Sequence, residues 1–222
     1  MTTTAVLLSA GLDSAVLAAA EARDARVQPI YVCTGLAWED QERAALEALL
    51  ASSPFAGCVA PVATLTFTVR DLYPATHWAL RGEPPGFDAP DEEVYLTGRN
   101  VTLLSKAAIY CAQHRISRIA IGPLAGNPFP DATPQFFSSM ADALSLGLAH
   151  AIEIAAPFVT MDKSDVIRLG VELGVPLELT LSCMNPRGGA HCGQCNKCRE
   201  RRDAFAEAGV EDPTSYAVAP LR

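Results

Sequence analysis

Apolar and polar positions follow two rhythms along this chain. Short runs rich in aliphatic and β-branched residues, at 4–9, 27–34, 58–69, 118–122 and 153–158, read as strands. Between them apolar residues recur at helical spacing over 14–25, 39–51, 100–114, 135–148 and 163–173, with Gly174 as a stop signal. Asn196–Ala208 predicts a last helix. Strands alternating with helices imply parallel pairing, because each helix returns the chain to the same end of the sheet. The expected fold is α/β, a Rossmann-like parallel sheet with helices on both faces.

Two stretches break the rhythm. Residues 70–99 hold "YPATHWALRGEPPGFDAPDEEVY", dominated by Pro, Gly and acids. Irregular segments of that length in compact domains are functional or mobile, so a lid or substrate loop is expected, with a short helix near Trp78. "PLAGNPFPDATP" is the second. The 222 residues, half of them hydrophobic, suit one α/β domain with a small appendage, divided here into 1–180 and 181–222. No apolar run has the length of a membrane span. The Met-Thr-Thr-Thr start lacks the basic stretch and cleavage site of a signal peptide. A cytoplasmic protein is expected. The net charge of −8 argues against bulk nucleic-acid binding and leaves small anions, met by local N–H groups, Arg and Lys.

The tail carries the most specific pattern. "CMNPRGGAHCGQCNKCRERR" spaces Cys183, Cys192, Cys195 and Cys198 as C-x8-C-x2-C-x2-C. Two-residue spacers turn neighbouring sulfurs toward one ion, and four thiolates suit a structural Zn²⁺. An iron–sulfur cluster and coincidence are the rivals. His191 is either a replacement ligand or an outer or surface group. Arg187, Lys197, Arg199, Arg201 and Arg202 compensate the thiolate charge, with a phosphate contact open to one or two of them. Cys33, Cys58 and Cys111 lie in apolar segments and are expected as buried packing.

At the head, "LLSAGLDSAVLA" joins the first strand to the first helix. Free N–H groups at a helix start, small residues and the hydroxyls of Ser9 and Ser14 make an anion site. Asp13 fits there as a ligand of phosphate-bound Mg²⁺ or as a helix N-cap. An ordinary strand–turn–helix is the alternative. Ala10 is expected at negative φ, where its methyl group is harmless.

Ser9-Ala10-Gly11-Leu12-Asp13-Ser14 resembles the Ser-Gly-Gly-x-Asp-Ser loop of the ATP pyrophosphatase superfamily, whose members adenylate a substrate oxygen. With Gly98-Arg99-Asn100, Phe129-Pro130-Asp131, Asp162-Lys163, Leu181-Ser182-Cys183 and the cysteine pattern in series, the chain resembles the 7-cyano-7-deazaguanine synthase (QueC) family from about Ala5 to about Arg202. The resemblance implies an adenine nucleotide alpha-hydrolase-like fold with a zinc knot. It implies a cytoplasmic, homodimeric ligase that forms a C–N bond. ATP would activate the carboxylate of 7-carboxy-7-deazaguanine, ammonia would give the amide, and a second ATP would give the nitrile of queuosine biosynthesis.

Residue by residue, the resemblance assigns ATP binding to Leu8, Ser9, Ala10, Gly11, Leu12, Asp13 and Ser14, with Mg²⁺ accompanying ATP. It assigns catalysis to Asp13, Arg99 and Lys163, and substrate binding to Arg99, Asn100 and Asp131. A loop turn and a surface charge are the alternatives for Asp131 and Lys163. His77 and Trp78 stack on a base, or are a solvated His and a core Trp. The chain departs from the family at Ala10 and at Gly35-Leu36-Ala37-Trp38-Glu39, where an aromatic-Gly-Gln segment is usual. An enzyme joining the acid to another amine or stopping at the amide, a tRNA thiolation enzyme and a non-catalytic nucleotide-binding module remain as alternatives.

Overall fold

The computed structural model describes residues 2–218. Five parallel strands, β1 (Thr3–Leu7), β2 (Arg26–Cys33), β3 (Ala63–Thr66), β4 (Arg118–Ala120) and β5 (Glu153–Ala155), form one sheet in the order β3-β2-β1-β4-β5. Strand alternation sends Val6, Tyr31 and Ala120 to one face and Leu7, Val32 and Ile119 to the other. The first face is covered by α1 (Leu12–Glu21), α2 (Glu39–Leu50), α6 (Lys163–Glu172) and α7 (Asn196–Ala208). The second is covered by α4 (Arg99–His114) and α5 (Pro134–Leu148). Both faces are therefore buried, as the near-continuous apolar strands require.

The third strand is shorter than the run at 58–69. Pro61 interrupts it, and only Val59 bridges back to Val27 before Ala63. Cys58 lies in the preceding turn and is exposed, which corrects its expected burial; Cys33 is half-buried and Cys111 fully buried. Gly174 follows the C-cap of α6 at φ +68, the left-handed position that glycine tolerates.

The segment between β3 and α4 is not structureless. It contains α3 (Trp78–Arg81) and a single helical turn at Asp91–Val94. Trp38, Val69, Val94, Leu96 and Met184 build a small apolar cluster beneath it. Its far side is fastened to the cysteine region: Gly86 bridges Cys195, and Arg199 donates to the Ala89 carbonyl over 3.2 Å. No helix among the described residues is long and apolar enough to cross a membrane.

Candidate active site

The order β3-β2-β1-β4-β5 reverses direction between β1 and β4, and the C-terminal strand ends there open a crevice. Two adjoining cavities of about 280 and 330 Å³ occupy it. Ser9, Gly11, Asp13, Glu42 and Arg99 line both.

The phosphate-type loop runs from the end of β1 into α1. Gly11 is the N-cap, so Asp13 belongs to the first helical turn rather than capping it. The Ser14 hydroxyl donates to the Gly11 carbonyl over 2.9 Å and accepts from the Ser9 amide over 3.4 Å. A side chain at Gly11 would sit 3.4 Å from the Ser9 hydroxyl. Leu8 lines the first cavity and Leu12 the second.

Ala10 corrects the expectation of negative φ: it adopts φ +60. Its carbonyl accepts from the Leu181 amide over 2.9 Å, and its side chain is fully buried on the sheet face covered by α1, α2, α6 and α7. The bond from Leu181 and the buried side chain hold this conformation at the reversal from strand to helix. A glycine there avoids a cost of about 1–2 kcal/mol.

Asp13 Oδ2 accepts from Lys163 Nζ at 3.2 Å, while its buried Oδ1 has no hydrogen-bond partner. Lys163 opens α6 and also reaches Glu200 at 2.5 Å. Burial alone would depress the ammonium; the carboxylates of Asp13 and Glu200 outweigh it and hold Lys163 firmly charged. Glu200 is pulled down to about 2, because Lys163 and Lys197 overcome the cost of its burial.

Arg99 begins α4 after Gly98, which takes φ +77. Its guanidinium forms no ion pair or side-chain hydrogen bond among the described residues. Asn100 and Asp131 lock to each other in the wall of the first cavity. The Asn100 amide donates to Asp131 Oδ2 at 3.0 Å, and Asn100 Nδ2 donates to the Asp131 carbonyl at 2.9 Å. Asp131 is buried, which pushes its carboxyl up against these hydrogen bonds and the charge of Arg99. His77 and Trp78 stack on protein rings: His77 lies 4.5 Å from Tyr73, and Trp78 lies 5.9 Å from Trp38 at 7°. His77 also caps α3 through Nδ1.

Glu42 is a site residue that motif reading passes over. It accepts from Tyr31 Oη at 3.0 Å and Trp38 Nε1 at 3.2 Å. Burial pushes it up to about 7, although Arg99 and these donors pull it back. A signal was present: Glu42 shares the buried stripe of α2 with Leu46 and Leu49, where a charge is out of place. Glu39 holds the departing segment by accepting from the amides of Thr34 and Gly35.

The four cysteines converge beside the second cavity. Their sulfurs lie within 4.8 Å of one another, all buried. Separations of 3.5 Å for Cys195 to Cys198 and 3.8 Å for Cys192 to Cys198 match the tetrahedral edge of about 3.8 Å expected for Zn–S bonds. Backbone amides of Asn185 and Cys192 point at Cys183 Sγ, as anionic sulfur favours. The cluster can hold a metal ion. His191 is not a surface group: it is buried, accepts from the Ser182 amide at 3.0 Å through Nε2, and is pushed down to about 4 by burial and then by Arg201. Arg201 is wholly buried and donates to Thr180, Ser182, Thr214 and the Leu177 carbonyl. Its role is to knit the tail together, beyond balancing thiolates.

Residues 3–209 match the family model described as "Queuosine biosynthesis protein QueC". The 7-cyano-7-deazaguanine synthase of Methanopyrus kandleri is 35% identical, covering 97% of this chain and 99% of that protein. The one from Anaeromyxobacter dehalogenans is 35% identical, covering 96% and 94%. A 4-thiouridine synthetase solved with RNA and bound ATP shares the fold, with a TM-score of 0.51 at 13% identity over 94% of this chain and 51% of that one. The match over nearly the whole chain, together with the phosphate-type loop and the buried cysteine cluster it spans, shows that this chain belongs to the QueC family of queuosine biosynthesis proteins.

Proposed function

We propose that the protein is a 7-cyano-7-deazaguanine synthase, an ATP-dependent ligase acting on 7-carboxy-7-deazaguanine. The observation that carries this reading is the convergence of the Ser9–Ser14 loop, Lys163 and the unpaired Arg99 on one crevice in a chain of this family.

A carboxylate is a poor electrophile, so an oxygen of it attacks the α-phosphorus of ATP and pyrophosphate leaves. Ammonia adds to the acyl carbon, loses a proton, and AMP departs to give the amide. The amide oxygen attacks the α-phosphorus of a second ATP and pyrophosphate leaves; loss of AMP and two protons then gives the nitrile. No side-chain nucleophile is needed, and the protein contributes position and charge.

The loop from Leu8 to Ser14 cradles the phosphates, with Gly11 admitting close approach. Mg²⁺ neutralises phosphate charge when bound, and the unpartnered Asp13 Oδ1 is the oxygen that would hold it. Lys163 steadies the α-phosphate. Arg99 meets the substrate carboxylate, and Asn100 and Asp131 face the base. Zn²⁺ on Cys183, Cys192, Cys195 and Cys198 is structural, since four thiolates leave no open position. The reading includes a cytoplasmic homodimer.

Mass spectrometry of products from the acid, ATP, Mg²⁺ and ammonium tests it. The nitrile is expected. The departures at Gly35–Glu39 and the buried Glu42 favour a second reading, in which the acid is joined to another amine or left as the amide. ATP consumption without nitrile would select it.

A further inference from the structure

Five charged side chains alternate in sign along the second cavity: Asp13, Lys163, Glu200, Lys197 and Asp91. They come from four parts of the fold: α1, the start of α6, the first turns of α7, and the helical turn at Asp91–Val94. Glu200 gives one oxygen to Lys163 and the other to Lys197. Lys197 reaches Asp91 over 3.6 Å.

These pairings differ in strength. The Lys163 contacts are short and well buried. The Lys197–Asp91 contact is longer and is not a hydrogen bond: the Asp91 Oδ1 that faces Lys197 is buried and has no hydrogen-bond partner, while the rest of the side chain is partly exposed. A charge contact that leaves its buried carboxylate oxygen without a hydrogen bond is poorly satisfied and gives way to an anion that can bond the ammonium directly. Lys197 sits between Cys195 and Cys198, so the cysteine cluster fixes its backbone. It lines the same cavity as Ser9, Gly11 and Asp13.

We infer that Lys197 is a second phosphate-binding cation of this site, released by Asp91 and retained by Glu200 when a pyrophosphate group occupies the cavity. This rests on the ATP-cleaving reading above. As the bond between the α- and β-phosphates breaks, charge collects on the departing pyrophosphate. An ammonium already in place meets it without reorganisation. Asp91 then acts as a stand-in anion, competing with phosphate for Lys197.

The competition makes the test directional. Calorimetry would measure binding of inorganic pyrophosphate with Mg²⁺ to the full, metal-loaded protein. Lys197→Gln should weaken binding about tenfold, and Lys197→Arg should stay within about threefold of the parent. Asp91→Asn should tighten it by about twofold or more, because the competing carboxylate is gone. A purely structural ion pair predicts instead that Lys197→Gln and Asp91→Asn move binding the same way, and that result overturns the inference. Unchanged affinity in Lys197→Gln also overturns it. Parent protein that forms the nitrile while Lys197→Gln binds pyrophosphate normally would sink this inference alone. Parent protein that binds neither ATP nor pyrophosphate would remove the proposed function beneath it. Should Lys197→Gln fail to fold, Asp91→Asn and Lys197→Arg decide the question.

Discussion

The Leu181 amide donates to the Ala10 carbonyl over 2.9 Å, tying the start of the cysteine region to the strained residue of the phosphate-type loop. Two segments that are far apart in sequence thus share one anchor. Damage to the cluster is therefore expected to reach the loop.

Replacing Cys198 with Ser should remove the bound metal, measured by elemental analysis of purified protein. It should lower unfolding stability by at least about 3 kcal/mol, since structural metal binding is folding free energy. ATP affinity should fall with it, through Leu181 and Ala10. Full metal content in the variant would contradict the four-thiolate assignment.

Ala10→Gly relieves about 1–2 kcal/mol of left-handed strain. It gives up about 0.8 kcal/mol of buried methyl group and about 0.4–1 kcal/mol of unfolded-chain entropy. Denaturant unfolding should therefore place it within about 1 kcal/mol of the parent. Ala10→Val should lose more than about 2 kcal/mol, because a β-branched residue is strained at φ +60 and the position is fully buried. A well-folded valine variant would mean that the loop relaxes to negative φ.

Glu42 binds its proton more tightly in the folded protein, about 7 against an ordinary 4.5. Stability from this group is present below 4.5 and is lost as pH rises through about 7. Glu42→Gln removes that loss. The unfolding free energy of the variant minus that of the parent should rise across this window, by up to roughly 3 kcal/mol. A flat difference would show that Glu42 is ionised without penalty.

Arg201→Lys keeps the charge and loses the planar fork that serves Thr180, Ser182, Thr214 and the Leu177 carbonyl. A loss of about 2–4 kcal/mol is expected in denaturant titration. A loss below about 0.5 kcal/mol would place Arg201 among ordinary surface charges.

Local pattern determined much of this protein. The helices over Glu39–Leu50, Lys163–Glu172 and Asn196–Ala208 were legible because apolar spacing is set by helix geometry alone. The four-cysteine cluster was legible because two-residue spacers constrain sulfurs before any fold exists. The φ of Ala10 was not, since it depends on a bond to Leu181 and burial in a core built from strands and helices distant in sequence. Nor were the sharing of Glu200 between two lysines and the pairing of Glu42 with Tyr31 and Trp38. Glu42 is out of place on the buried stripe of α2, but which groups answer it is decided only when the sheet, α2 and the segment before α4 close around it. Sequence periodicity records which face a residue occupies; tertiary packing alone decides which polar groups lose water together and must answer one another.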